Sequence, residues 1–417
     1  MPVRAVSAVP PSTPTPASLS PKQASIPELV AIASLLMATV ALSIDIMLPA
    51  LDDMARELGA AAGNDRQHVI LALFAGFTLG QLVFGPLSDS IGRRPSIFAG
   101  VVLYVLGSAV CASATSFETL IVGRVLQGVG AAGPRIVTVA LIRDRLAGAE
   151  MARVMSLIMG LFIMVPVLAP ALGQLLLFVM PWRGLFVVLS VLCVTGGAWL
   201  ALRQGETLEE PRALRPGLLG QAFLEVLTSA KPMLFTVAGG CCYGALMGYI
   251  NASQQIFQDL FDVGDRYVVL FGASAAFISA ATLINSRLVK RFRPETVCWT
   301  AVAVQLIWTI LFALVAWLAP GDVSLRAWLV FLWPTLFLLG LTFGNFNAIA
   351  LNDLGHVAGL ASGVIASLTT ALSTVIAGAV GLRFDMSVVP IVAGFGIFGA
   401  LALASMSVSL VLESRKV

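Results

Sequence analysis

Twelve apolar runs, each long enough to cross a bilayer, dominate this 417-residue chain. They lie at about 28–51, 67–87, 96–114, 119–142, 151–177, 184–202, 232–254, 267–287, 296–318, 327–350, 358–381 and 388–412. A hydrocarbon core needs roughly 20 apolar residues per helix. The runs are continuous rather than alternating, which excludes a barrel and predicts an all-α membrane protein of twelve transmembrane helices. With 58% hydrophobic and 11% charged residues, the composition leaves no room for a sizeable soluble domain.

Arg203 to Lys231 is the longest polar connection and contains the string ETLEEPRALRP. It divides the chain into an N-terminal six-helix half over 28–202 and a C-terminal half over 232–412, with 203–231 as a cytosolic central loop. Residues 1–27, rich in Pro, Ser, Thr and Ala, read as a disordered cytosolic tail, and 413–417 as a second short tail. Basic residues gather on alternate connections: Arg93 and Arg94; Arg143 and Arg145; Arg203, Arg212, Arg215 and Lys231; Lys290, Arg291 and Arg293. That asymmetry puts both termini in the cytosol. The loop at 351–357, with Asp353 and His356, lacks a basic residue.

The net charge of +3 is explained by these topological residues, so no nucleic-acid partner is implied. The five cysteines have no metal-type spacing and read as packing residues. With two histidines, no metal site, cofactor or enzymatic centre is expected. Trp182 and Trp328, near helix ends, are expected to anchor at the membrane interface.

Charges inside the spans are few: Asp45 in helix 1, and Arg124 and Arg135 in helix 4. A charge at that depth is a functional candidate by default. Counting 1.5 Å per residue puts Asp45 and Arg124 at similar depth, where they could pair. A change in their separation would let Asp45 take up and release a proton; a fixed ion pair bracing helices 1 and 4 is the structural alternative. Arg124, Gln127 and Arg135 share one helical face, a candidate lining for acceptor-rich or anionic substrates. For Arg135, snorkelling to the cytosolic surface is an equal alternative. In the second half Tyr243, Tyr249, Asn251, Asn345 and Asn347 are the notable polar groups, and of these Tyr249 and Asn347 are the expected substrate contacts. Pro166 and Pro170, one turn apart between Gly160 and Gly173, predict a kinked, closely packed helix 5.

Residues 85–95, GPLSDSIGRRP, form a tight basic turn in which Gly85, Asp89, Gly92, Arg93 and Arg94 are placed to latch onto a neighbouring helix end. As an ordered string it resembles the signature loop of the major facilitator superfamily, and SRLVKRFRP at 286–294 echoes it in the second half. DIMLPAL at 45–51, RVLQGVGAAG at 124–133, VPVLAPALG at 165–173 and AGLASG at 358–363 are similar, in order, to segments of the bicyclomycin-resistance (Bcr/CflA) drug:proton antiporters. The resemblance implies proton-coupled efflux of a small organic molecule, a drug or an endogenous metabolite such as a siderophore, by a monomer in the bacterial inner membrane. A proton-coupled importer or facilitator on the same fold is the alternative. It also implies that Asp45 and Arg124 couple protons, that Gly85, Asp89, Gly92, Arg93 and Arg94 form a cytosolic gate, and that Gly160, Pro166, Pro170 and Gly173 belong to the antiporter motif. Ser90, Val139 and Met37 depart from positions that are often charged in relatives.

Overall fold

The computed structural model describes residues 23–60, 64–146, 148–208, 216–318, 323–354 and 358–414. Most of the N-terminal tail, Arg212, Arg215 and His356 lie outside them, and nothing is described for the side chains of Gly160 and Pro166. The described residues build helices in two six-helix halves. The first comprises α1 (Ile26–Asp45), α2 (Leu51–Glu57), α3 (His68–Ile91), α4 (Arg93–Ala112), α5 (Phe117–Arg145), α6 (Gly148–Leu177) and α7 (Trp182–Arg203). A connecting helix, α8 (Pro216–Thr228), leads to α9 (Ala230–Gln254), α10 (Tyr267–Leu288), α11 (Pro294–Leu318), α12 (Leu325–Gly340), α13 (Phe343–Asn352), α14 (Ala358–Gly381) and α15 (Val389–Ser414). Eleven spans among the described residues are long and apolar enough to cross a membrane, and the 30-residue α6 makes the twelfth crossing. The connection expected as loop over 203–231 therefore contains a helix.

Local chemistry explains the helix ends. Ser25 precedes α1 in extended conformation and Pro27 opens its first turn, where a missing N–H costs nothing. Ser116 and Ser324 cap α5 and α12 by accepting from Thr119 N and Ala327 N. Pro49 cannot continue the ladder of α1, so the first span breaks after Asp45 and resumes through a 3₁₀ turn at Leu48–Ala50 into α2. Its counterpart at the start of the second half, α9, loosens into a π turn at Gln255–Leu260.

Within the first half, α5 lies against α3 and α4 at near backbone contact. A Cβ at Gly76 or Gly80 would overlap the Val125 or Val129 carbonyl, one at Gly128 the Leu73 carbonyl, and one at Gly107 or Gly130 the backbone across the α4–α5 seam. All five cysteines are buried and free, as packing residues should be. Trp182 and Trp328 are buried too, which corrects the expectation of interfacial anchors. Trp182 donates to Glu57 at 2.6 Å, and Trp328 packs between Tyr249 and Phe331. The halves meet along two seams, α3 with α14 and α6 with α10.

Candidate functional site

Asp45 is the last residue of α1, 4% exposed at the break in the first span. Among the described residues it makes no hydrogen bond or ion pair, and the group that feels its charge is Tyr267 of the opposite half. Gly173 of α6 lies against the break: a Cβ there would overlap the Ile46 carbonyl and meet the Pro49 ring at 3.1 Å. Pro170, one turn earlier on the same helix, is also buried. The structure thus gathers Asp45, Pro49 and the end of the string VPVLAPALG into one place.

Arg124 does not pair with Asp45, contrary to the expectation from depth. It is fully buried, and its guanidinium donates to Ser43 O and Val69 O at 2.9 Å each and to Gln127 Oε1 at 2.7 Å. Ser43 lies in the last turn of α1, whose carbonyls lack intrahelical partners, so Arg124 acts as a cationic cap on a broken helix. Gln127 is fully buried as well and donates to Ser108 Oγ at 2.8 Å. Neither Arg124 nor Gln127 lines an open surface, which corrects their assignment as substrate contacts in this state. The common reason is that they face inward among α1, α3 and α4.

Arg135, about three turns on from Arg124, is half-buried and within electrostatic reach of Tyr243 on α9. Tyr243 stacks on Phe343 with ring centroids 4.3 Å apart. Together with Phe235, Thr236, Phe346 and Asn347 these rings line an aromatic recess in the second half. Asn347 is therefore placed at a recess wall, whereas Tyr249 is 2% exposed and packed on Trp328, away from it. Tyr243, not Tyr249, is the tyrosine that faces the first half.

Two polar clusters bracket this region. At the face where α1 begins, Arg93 is paired with Asp89 and, at 2.7 Å, with Asp144 at the end of α5, and it donates to Ser88 Oγ at 2.9 Å. Arg94 donates to Ala201 O in the last turn of α7 at 2.8 Å. Gly92 has φ +107°, a conformation that favours glycine. Gly85 has open space around it. Glu206, just past α7, accepts from the backbone N–H of Arg93 at 2.9 Å and of Arg94 at 3.0 Å, and from those of Thr207 and Leu208. A carboxylate from the inter-half connection thereby caps α4. Partial burial pushes the Glu206 carboxyl up, but the four N–H groups outweigh that and hold it below its usual range. Its contribution is therefore fully present above the ordinary carboxylate range and is lost as pH falls through the lowered folded value. Glu206→Gln should destabilise the protein by about 1 kcal/mol near neutral pH, the effect being limited by solvent screening. Thermal unfolding at pH 7 and faster amide exchange at Arg93 and Arg94 check this.

At the opposite, distal face, Arg66 is 6% exposed and shared between Asp52 of its own half, at 3.0 Å, and Asp259 of the other. Gln67 donates to Gln255 at 2.6 Å and to Gly381 O at 2.9 Å, and Asn64 donates to Leu382 O and Phe384 O. These bonds join the halves. Sequence reasoning missed them because charged residues at helix ends are indistinguishable from topological ones; the π turn that delivers Gln255 has no simple sequence signal. Arg66→Gln should weaken the latch by about 1–2 kcal/mol, the carboxylates being part-exposed, and raise the distal-open population five- to thirtyfold. Distances between spin labels across that face would report it.

Comparison with known proteins completes the picture. The family profile described as Major Facilitator Superfamily matches residues 33–378. Relatives include an uncharacterized MFS-type transporter, YdgK, of Bacillus subtilis, 27% identical over 82% of this chain and 85% of its own length. The bicyclomycin resistance protein homolog of Haemophilus influenzae is 27% identical over 65% of this chain and 69% of its own. Multidrug resistance protein MdtL of Klebsiella pneumoniae is 29% identical over 62% and 66%. The crystal structure of a D-xylose-proton symporter superposes with a TM-score of 0.68 over 91% of this chain and 96% of its own, at 14% identity, a likeness of fold.

Proposed function

The chain belongs to the major facilitator superfamily, and on that premise we propose that it exports a small organic molecule across the bacterial inner membrane in exchange for protons. It is a multi-pass membrane transporter and not an enzyme. The observation that carries the proton-coupled reading is the Asp45 carboxyl. It is a buried acid without a hydrogen bond among the described residues, at a helix break, facing the seam between two halves. A group so placed exchanges a proton when the seam opens to either side.

The basic connections support a cytosolic location for the face where α1 begins and for both termini. The latch at the distal face then closes the periplasmic side, and the recess of Tyr243, Phe343 and Asn347, about 20 Å³ in this state, widens towards the cytosol to receive substrate. Arg93, Asp89, Asp144 and Glu206 form the cytosolic gate cluster, here held within the first half and its connection. Arg124 positions Asp45 through the Ser43 carbonyl two residues away. Arg135 and the aromatic recess form the substrate contacts, suited to neutral, zwitterionic or anionic molecules carrying acceptors. A single acid supports one proton per cycle, and the protein works as a monomer. The resemblance to resistance proteins supports export.

The test is transport in inside-out vesicles holding the purified protein, across an imposed pH gradient, with phenicols, bicyclomycin and siderophores as candidates. Uptake into the vesicles coupled to proton release is the expected result; substrate movement indifferent to the gradient, or down the proton gradient, overturns the reading.

A further inference from the structure

On the bilayer-facing surface a groove runs along the seam between α3 and α5 of the first half and α14 of the second. Its volume is about 470 Å³, and its walls include Leu71, Ala72, Ala75, Val125, Val375 and Gly378. Small side chains from both halves create the trough, since no residue at Ala75 or Gly378 reaches across it. It is continuous with the distal latch. His68, next to Gln67, and Leu382, next to Gly381, line its end, and Gln67 donates to the Gly381 carbonyl.

Its surroundings say what covers it. Val375 is 70% exposed and Val122, beside the trough, 64%, as lipid-facing residues are. Hydrocarbon surrounds this surface, so simple transfer from water gives no selectivity; what distinguishes the trough is shape. An unfilled trough would forfeit the dispersion contacts of all its walls. At the latch end the exposed Arg383 donates to the carbonyl of Ala379, a wall residue, at 2.6 Å. A guanidinium held above an apolar slot complements a phosphate above an acyl chain.

We infer that this groove binds one phospholipid of the distal leaflet, with an acyl chain between α3, α5 and α14 and its phosphate at Arg383, and that the bound lipid favours the state in which the distal latch is closed. The walls belong to both halves, so parting the halves dismantles the site. A ligand that fits only one state shifts the population towards it. The inference does not depend on proton coupling or on transport direction.

The test uses the full-length protein in vesicles containing a phospholipid with a photoactivatable diazirine in mid-chain. Crosslinks are expected to concentrate on residues 68–75 and 374–382. Gly378→Leu should reduce them at least about fivefold, since a Cβ there meets only ordinary contacts, 3.6 Å from Leu71 Cδ1 and 3.9 Å from Leu382 Cδ1. Ala75→Leu, from the opposite wall, should do the same, and Arg383→Gln should lower labelling by an anionic phospholipid without filling the trough. Spin labels across the distal face of the wild type should report fewer closed molecules after lipid depletion. Labelling spread evenly over the lipid-facing helices, labelling unchanged in both groove-filling variants, or a closed fraction indifferent to lipid would each overturn the proposal. Displacement of the probe by transported substrate, and not by added phospholipid, would overturn the choice of occupant.

Discussion

Asp45→Asn is expected to leave the transporter inserted and folded while abolishing accumulation driven by a pH gradient. With one proton per cycle, each unit of pH difference is worth about 1.4 kcal/mol and sustains a substrate ratio of about tenfold. The amide cannot release a proton, so the ratio should fall to about one, while unlabelled substrate continues to exchange across the membrane. The folded state should tolerate the change because, among the described residues, Asp45 makes no hydrogen bond that the amide would break. Reconstituted vesicles with matched protein loading give the ratio directly. Retention of a gradient-dependent ratio in the variant would move the proton carrier away from this residue.

Arg124→Leu is expected to have the larger structural cost. The guanidinium satisfies the Ser43 carbonyl at the end of α1 and the Gln127 side chain, and adds a bond to Val69 O, all in the buried centre of the first half. Leucine fills part of the volume but strands the Ser43 carbonyl and Gln127 Oε1, at about 1–3 kcal/mol each, so a loss of about 2–6 kcal/mol is expected. Arg124→Lys keeps the charge without the planar fork that reaches α1 and α3 together, and should fall between. Thermal unfolding of the purified variants in detergent measures this order. If Arg124→Leu is as stable as wild type, the cap on α1 is not what holds the break.

The architecture was legible in the sequence because hydrophobic length alone dictates spans, and the loop string GPLSDSIGRRP indicated which helical fold they build. The charged cluster around Arg93 is half legible: Asp89, Arg93 and Arg94 stand out in the loop string, but Asp144 and Glu206 read as ordinary surface acids until the fold brings them together. Depth along a helix can be counted from sequence, whereas facing cannot. Asp45 and Arg124 illustrate the difference, since α1 breaks at the acid and the arginine turns to a carbonyl two residues earlier. The same limit separates Tyr243 from Tyr249. Six residues apart on α9, they project about 120° apart around the helix, and the one facing the first half lines the recess.

The glycine crossings that bring α5 against α3 and α4 have an evolutionary corollary. Where main chains touch, almost any new side chain wedges the helices apart, so the first half has few neutral neighbours in sequence space and should change slowly. On the proposed reading, shifts in what the transporter accepts would then be recorded mainly across the seam between the halves, in the rings and amides around Tyr243, Phe343 and Asn347, where a substituted side chain displaces no backbone.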